Sequence, residues 1–300
     1  FANMILASRA LQPIEKVVGS WDPLNNMYRA YERLNKLLAN AEPPVAATSL
    51  PRPLGKLSVE GVNFAPPGVQ RLVLGGISFA VDPNEVLGVI GPSGAGKSTL
   101  ARLLVGIWKP LNGVVRLDGA DVFTWDRADF GRHVGYLPQD TELFSGSVRN
   151  NIARFREGVT DEEVVTAAQL AGVHDLILRM PKGYDTDVGE GGVVLSAGQR
   201  QRVGLARCLL GNPAFVVLDE PNANLDAEGE DALMRAIDAM KANGATVVII
   251  SHKPGVFRAA DKMLVLRDGR VELFGPRDQV MARLVKPAQP AEPRAVEGGR

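Results

Sequence analysis

The sequence predicts an α/β fold with a mixed sheet core, an antiparallel β subdomain ahead of it and a helical subdomain inserted into it. Three observations carry that prediction. An apolar run, Val86-Leu87-Gly88-Val89-Ile90, feeds into Gly91-Pro92-Ser93-Gly94-Ala95-Gly96-Lys97-Ser98, and an apolar-periodic helix opens at Lys97. Strand, glycine-rich loop and helix in that order form a phosphate-binding loop. Two further buried-strand runs, Ala214–Leu218 and Ala245–Ile250, enclose a helix from Asp226 to about Asn243, and strand-helix-strand order belongs to a parallel sheet covered by helices. Between these runs, Asp140 to Val194 turns polar and helix-rich, which reads as an insertion into the sheet.

Taken in order, Phe1 to Leu11 is too short to span a bilayer yet apolar enough to end something longer, and a start at Phe rather than Met leads us to expect a truncated chain. Beyond Pro13, Tyr28, Tyr31, Leu34, Leu37 and Leu38 recur three and four residues apart among Arg29, Glu32, Arg33 and Lys36, an amphipathic helix. It either docks on a partner or on the main domain, or is a solvated helix of that domain. Prolines 43, 44, 51 and 53 mark residues 41–53 as a linker, and the domain begins near Leu54. Leu57–Phe64 and Leu74–Phe79 read as antiparallel strands around Pro66-Pro67-Gly68. Leu100, Leu103, Leu104 and Ile107 mark one face of the helix after the loop, with its stop expected at Lys109-Pro110, and a hairpin follows over Gly113–Gly119. His133–Gln139 reads as a core strand delivering Gln139 to its carboxyl end. Thr160-Asp161-Glu162-Glu163 signals a helix start, and Ser196 is an N-cap for the next. Met263–Leu273 is a closing hairpin turning at Asp268-Gly269. The Pro/Ala/Glu-rich tail, 286–300, is expected to be disordered.

Composition narrows the function. With 34 basic and 34 acidic residues the formal charge is zero, which disfavours nucleic acid as a partner. The single cysteine, Cys208, cannot form an internal disulfide and reads as a packed small hydrophobe in a reducing, cytosolic compartment. No apolar run approaches the roughly 20 residues that span a bilayer.

Ligands of open α/β sheets sit at the carboxyl edge of the strands, and four segments converge there: the phosphate loop, Gln139, Asp219-Glu220 and His252. The loop aims backbone N–H groups at phosphate oxygens, assisted by the helix start. Lys97 would reach the β- and γ-phosphates and the Ser98 hydroxyl would hold Mg²⁺. Asp219 is placed to accept hydrogen bonds from Mg²⁺-bound water. Glu220, one residue on and across the strand, is the candidate base that polarises the attacking water. Asp219 and the phosphates oppose its ionised form and Mg²⁺ favours it, a balance left open by sequence. Gln139 fits as a Mg²⁺ or water ligand, and His252 as a donor to the γ-phosphate that orients the water. Leu195-Ser196-Ala197-Gly198-Gln199 is a second glycine-containing turn onto a helix start. Alone it is a helix cap. If it lies on the far side of the inserted subdomain it meets a γ-phosphate only on another copy, which predicts a dimer with two nucleotides between its faces.

These residues resemble the ATP-binding cassette (ABC) proteins. The phosphate loop, Gln139, Leu195–Gln199, Phe215–Glu220, Asn224-Leu225-Asp226 and His252 occupy that family's order and approximate spacing from about Leu54 to Leu284. The resemblance implies an ABC ATPase, a P-loop NTPase domain, over 54–285, with its helical subdomain at about 140–205. It implies ATP and Mg²⁺ as ligands, with Gly91, Pro92, Ser93, Gly94, Ala95, Gly96, Lys97, Ser98 and Thr99 on the nucleotide and Ser98, Gln139 and Asp219 on the metal. Glu220, His252, Gln139 and Lys97 would serve hydrolysis. In a head-to-tail homodimer, Ser196, Ala197, Gly198 and Gln199 of one copy would face the other's nucleotide, with Asp226 at the seam. Two positions depart from the family pattern: Ala197 stands where glycine is usual, and Pro66 where an aromatic ring commonly stacks on adenine. Phe64 is the nearest aromatic, and strand alternation points it into the core.

A narrower resemblance, to bacterial type I secretion exporters of the protease and lipase class, rests on Ile5–Glu15, Gly19-Ser20-Trp21, Tyr31–Leu34, Pro66-Pro67-Gly68, Gly131–Asp140 and Asn151–Phe155. It implies that 1–40 is the end of the last transmembrane helix with its cytoplasmic extension, the membrane-spanning domain lying outside this sequence. It further implies an inner-membrane exporter with its nucleotide-binding domain on the cytoplasmic side, working with a periplasmic adaptor and an outer-membrane channel on a secreted protein. Asp187-Val188-Gly189-Glu190 resembles the exporters' contact with the membrane domain. The competing readings are an exporter of lipids or small molecules and a soluble ATP-dependent clamp; such clamps commonly carry two cassettes or a long coiled-coil insertion, and neither occurs here.

Overall fold

A computed structural model describes residues 2–39, 50–69 and 71–285. Most of the linker expected at 41–53 and all of the tail expected at 286–300 lie outside the described residues. The chain divides into two compact units, Phe1–Ala47 and Thr48–Arg300.

The described residues of the first unit form one helix, α1 (Ala2–Ala39). It runs through Pro13 and Pro23, where the sequence reading began a helix only beyond Pro13. A proline inside a helix costs about 3 kcal/mol, because it removes one donor and its ring crowds the carbonyl four residues back, and the helix continues across both positions. Trp21, Leu24, Tyr28, Tyr31, Leu34 and Leu38 recur along one side of α1 and are all exposed. Among the described residues no helix is long and apolar enough to cross a membrane.

The second unit opens with β1 (Leu57–Phe64) and β2 (Leu74–Val81), antiparallel as expected. Then come β3 (Val86–Ile90), α2 (Lys97–Leu104), β4 (Asn112–Leu117), β5 (Ala120–Asp121), α3 (Arg127–His133) and β6 (Val134–Leu137). The inserted helices are α4 (Val148–Ile152), α5 (Asp161–Leu170) and α6 (His174–Leu178), followed by α7 (Ala197–Leu209). The chain returns to the sheet with β7 (Phe215–Asp219), α8 (Ala227–Ala242), β8 (Thr246–Ile250), β9 (Lys262–Arg267) and β10 (Arg270–Pro276), and ends in α9 (Arg277–Val285).

Two sheets result. The four-stranded antiparallel sheet has the order β2-β1-β4-β5; the six-stranded sheet, β10-β9-β3-β8-β7-β6, is parallel except for β10. The central strands are apolar throughout because both of their faces are covered. Strand alternation divides them between two cores. Val216, Leu218, Val247 and Ile249 pack with the inserted helices, α7 and α8. Leu87, Val89, Phe215, Val217, Val248 and Ile250 pack with α2 and the antiparallel sheet. In register, Val89 and Asp219 both pair with Ile250 and Leu137 pairs with Leu218, so the carboxyl ends of β3, β6, β7 and β8 align.

Two boundaries differ from expectation. The helix after the phosphate loop stops at Leu104, and Gly106 takes the left-handed backbone (φ +67°) that turns the chain away, leaving Ile107 exposed. The strand carrying Tyr136, expected in the core, is the sheet's edge. Helix starts announced by side chains stand where expected: Thr160 and Ser196 each form reciprocal capping boxes, with Glu163 and Gln199, and Asp226 caps α8.

Candidate active site

The phosphate loop joins β3 to α2. Its Gly94 and Gly96 take left-handed backbone (φ +79° and +97°), and Gly96 is the N-cap of α2 without any side-chain cap. The first-turn N–H groups of α2 are thus left for an anion. Lys97 folds across the loop, its Nζ donating to the carbonyls of Gly91 (2.8 Å) and Pro92 (3.1 Å). Pro92, Ser93 and Gly94 are exposed, Ala95 is buried, and Ser98 and Thr99 are half-buried.

Asp219 ends β7 and is only 1% exposed. Burial pushes its pKa up and adjacent Glu220 adds to this, while a hydrogen bond with Ser98 and the charges of Arg102 and Lys97 pull it down. Its Oδ1 has no hydrogen-bond partner. An orphaned carboxylate oxygen beside a serine hydroxyl is a hard-oxygen donor pair. Among the described residues no three His, Cys, Asp or Glu side chains cluster into a cage. That donor set fits Mg²⁺, which keeps waters and phosphate oxygens as most of its ligands.

Glu220 lies just past β7. The sequence reading placed it across the strand from Asp219 by alternation, but the strand ends at Asp219 and Glu220 takes φ +51°, a left-handed backbone rare for a side chain of its size. Three bonds to its main chain hold it there: its N–H donates to the Ile250 carbonyl (2.8 Å), and its carbonyl accepts from Gln201 Nε2 (3.0 Å) and from the Ala223 N–H (3.2 Å). Its carboxylate is buried and meets exposed His252, Nδ1 to Oε2 2.8 Å. With the carboxylate as acceptor, Nδ1 carries the proton. The two loops are joined again where Ser251 Oγ donates to Asn222 Oδ1 (3.0 Å), and Lys253 Nζ ties the second loop to Glu230 of α8 (2.6 Å). A carboxylate beside an imidazole, next to a phosphate loop and a cation site, can activate water for attack on a phosphoanhydride.

Gln139 is exposed on the loop after β6. It lines a cleft of about 420 Å³ with Ala197, Arg200, Gln201 and Asn224, so it groups with the start of α7 rather than with Ser98 and Asp219. Ser196, Gly198 and Gln199 line a second cleft, about 260 Å³, with Arg202, Asn224 and Asp226. Neither cleft contains a phosphate-loop residue. Asp226 accepts from Gly229 N–H (2.9 Å) and Arg202 Nη2 (2.6 Å), which hold its pKa down. Phe64 is buried and stacks on Trp108 with ring centroids 5.0 Å apart, so its face is taken. Buried Cys208 has its thiol pushed up to about 12 by desolvation, as suits a packed hydrophobe. A cleft of about 510 Å³ between β6 and α4 holds none of this constellation.

Sequence reasoning passed over Gln201, Arg202 and Asn222. Gln201 stands four residues before Leu205, on the buried stripe of α7, where a polar side chain signals a buried partner.

The fold and this edge define a nucleotide-binding domain of the phosphate-loop class. More narrowly, residues 74–223 match the family described as ABC transporter, and the chain belongs to that family. It is 50% identical over 289 residues to the type I secretion system ATP-binding protein PrsD of Rhizobium meliloti (strain 1021), covering 96% of this chain and 50% of that protein. To the cyclolysin secretion/processing ATP-binding protein CyaB of Bordetella pertussis it is 38% identical over 280 residues, covering 93% and 39%. A solved structure of a bacterial Atm1-family ABC exporter with ATP bound superposes with TM-score 0.79 at 30% identity, covering 92% of this chain and 49% of that one. The chain spans half the length or less of these relatives.

Proposed function

We propose that this chain is the ATP-hydrolysing part of an inner-membrane exporter that moves proteins by type I secretion. The observation that carries the hydrolytic reading is the meeting of buried Glu220 with His252 at 2.8 Å on the sheet edge that also presents Lys97, Ser98 and the orphaned oxygen of Asp219. The names of the PrsD and CyaB relatives favour a protein cargo. In this reading the exposed apolar side of α1 belongs to the cytoplasmic extension of a membrane helix, and 54–285 is the cytoplasmic motor.

The loop amides and Lys97 bind and orient the phosphates of ATP. Ser98, Asp219 and Gln139 would hold Mg²⁺, which when bound would neutralise phosphate charge. Glu220 accepts the proton of the attacking water at a carboxylate oxygen, and His252 fixes that carboxylate. Ser196, Ala197, Gly198 and Gln199 complete the site of a second copy in a homodimer, with Asp226 at the seam; their separation from the phosphate loop into other clefts supports this. The membrane-spanning domain, a periplasmic adaptor, an outer-membrane channel and the secreted protein complete the partners.

The test is Glu220→Gln, expected to lower turnover about 10²–10⁴-fold with ATP binding intact. Parental turnover by this variant would refute the assigned base. Light scattering of the same variant is expected to show a dimer only with Mg·ATP. For the cargo, cells lacking the exporter should lose a protein from their medium and recover it with the parent but not with Glu220→Gln.

A further inference from the structure

Helix α7 has two ends of different character. Its Ser196 end opens on a cleft, while its second turn is anchored to the segment after β7 at three places. Gln201, only 3% exposed, donates from Nε2 to the Glu220 carbonyl (3.0 Å) and accepts at Oε1 from the Asn224 N–H (3.1 Å), so both halves of its amide are used. Arg202 bonds Asp226 at 2.6 Å. At Gly198 a Cβ would come within 2.7 Å of the Asn224 carbonyl, so the first turn of α7 and the 220–226 segment touch with no slack. Glu220, meanwhile, keeps its left-handed backbone through three main-chain bonds, from Gln201 and Ala223 to its carbonyl and from its N–H to Ile250, and the Gln201 bond is the one that comes from α7.

We infer that Gln201 is a positioning residue that carries the state of the Ser196 end of α7 to Glu220 of the same chain. The inference rests on the reading of Glu220 as base and of Ser196 as a contact to a second copy's nucleotide. A helix of 13 residues moves as a rod. When Ser196 engages or leaves a neighbour's phosphate, Gln201 shifts with it, and so do the two groups it clamps, the Glu220 carbonyl and the Asn224 amide. Each site of a dimer would thereby sense the occupancy of the other through one buried amide. A purely structural Gln201 would fill the same space but would not couple to Ser196.

The experiment compares Gln201→Leu, Ser196→Ala and the double variant in the full 300-residue chain, with Glu220→Gln as control. Gln201→Leu is expected to lower kcat roughly 10- to 100-fold, the scale of a small misplacement of a catalytic group, while the Kd for ATP stays within about twofold. It should also raise amide exchange at Asn224. The double variant should be no slower than the slower single one, the non-additivity of residues acting in series. Multiplicative losses, or a kcat within about twofold of the parent while Glu220→Gln is inactive, would overturn the inference and leave the base assignment standing. If Glu220→Gln itself hydrolyses ATP, the base reading falls, and unchanged Asn224 exchange in Gln201→Leu would overturn the tether as well. Should Gln201→Leu not fold, Gln201→Glu keeps the acceptor for Asn224 and removes the donor to Glu220. It is expected to lose kcat with Asn224 still protected, and an undiminished kcat there overturns the inference.

Discussion

Replacing Arg154 by Ala tests what joins the inserted helices to the sheet. Arg154 follows the end of α4, and it and Phe155 both take left-handed backbone (φ +56° and +53°). Among the described residues its guanidinium meets no carboxylate. Instead Nε donates to the Arg207 carbonyl (2.8 Å), Nη2 to Cys208 (3.0 Å) and Nη1 to Gly131 (2.6 Å) and Val134 (3.4 Å). Three of those carbonyls lie in the last turns of α7 and α3, where helices leave acceptors unpaired and carry partial negative charge. Burial lowers the guanidinium's pKa, the desolvation that the carbonyls offset. A hydrogen bond to a charged group contributes about 1.5–3 kcal/mol. Four such bonds do not sum, because burying the cation has its own cost and the neighbouring 510 Å³ cleft lets water reach the freed carbonyls. The expected loss is about 2–4 kcal/mol. At about 2–4 °C per kcal/mol for a domain of this size, the melting midpoint should fall roughly 5–15 °C. Guanidinium denaturation of parent, Arg154→Ala and Arg154→Lys measures it, with the lysine expected to restore less than half because it lacks the planar fork. A loss below about 1 kcal/mol, the range of an exposed contact, would refute this account of the joint.

Two further outcomes follow from the site. Lys97→Ala should weaken ATP binding by about 10- to 100-fold, the contribution of a charge-assisted contact to phosphate, with little change in the nucleotide-free melting midpoint; an unchanged Kd in a nucleotide titration would contradict the placing of Lys97 on the phosphates. Asp219→Asn should abolish Mg²⁺-dependent turnover yet stabilise the nucleotide-free chain near neutral pH. Because the folded chain raises the pKa of Asp219, it binds this proton more tightly than the unfolded chain does. Its contribution is therefore fully present below the ordinary carboxylate range and is lost as pH rises through the raised value. Melting curves across pH should show the variant's advantage growing with pH, and a variant less stable than the parent at neutral pH would refute the dominance of desolvation.

What could be read in the sequence divides along a physical line. Strands β3, β7 and β8 announce themselves because a strand covered on both faces must be apolar at every position, and the parallel register then brings their ends, with Gly91, Asp219 and Ser251, to one edge. Helix starts at Thr160, Ser196 and Asp226 are legible because the cap lies within three residues of the amide it satisfies. Backbone choices made by tertiary contacts are not. Nothing local says that α2 ends at Leu104, that α1 passes two prolines, or that Glu220 leaves the strand with positive φ.

The polar contacts made far along the chain are the least visible. Gln201 lies 19 residues before the carbonyl it serves, and Arg154 lies 53 before one of its acceptors. Yet a glutamine on the buried stripe of α7 is not neutral information. A buried amide left unpaired costs about 1–3 kcal/mol, so its place beside Leu205 already requires partners with one donor and one acceptor. A turn with unpaired amides and carbonyls offers both, as the segment after β7 does through the Glu220 carbonyl and the Asn224 amide. The polar residue on the apolar face of α7 thus calls for a turn packed against it, and the tertiary fold supplies the segment after β7.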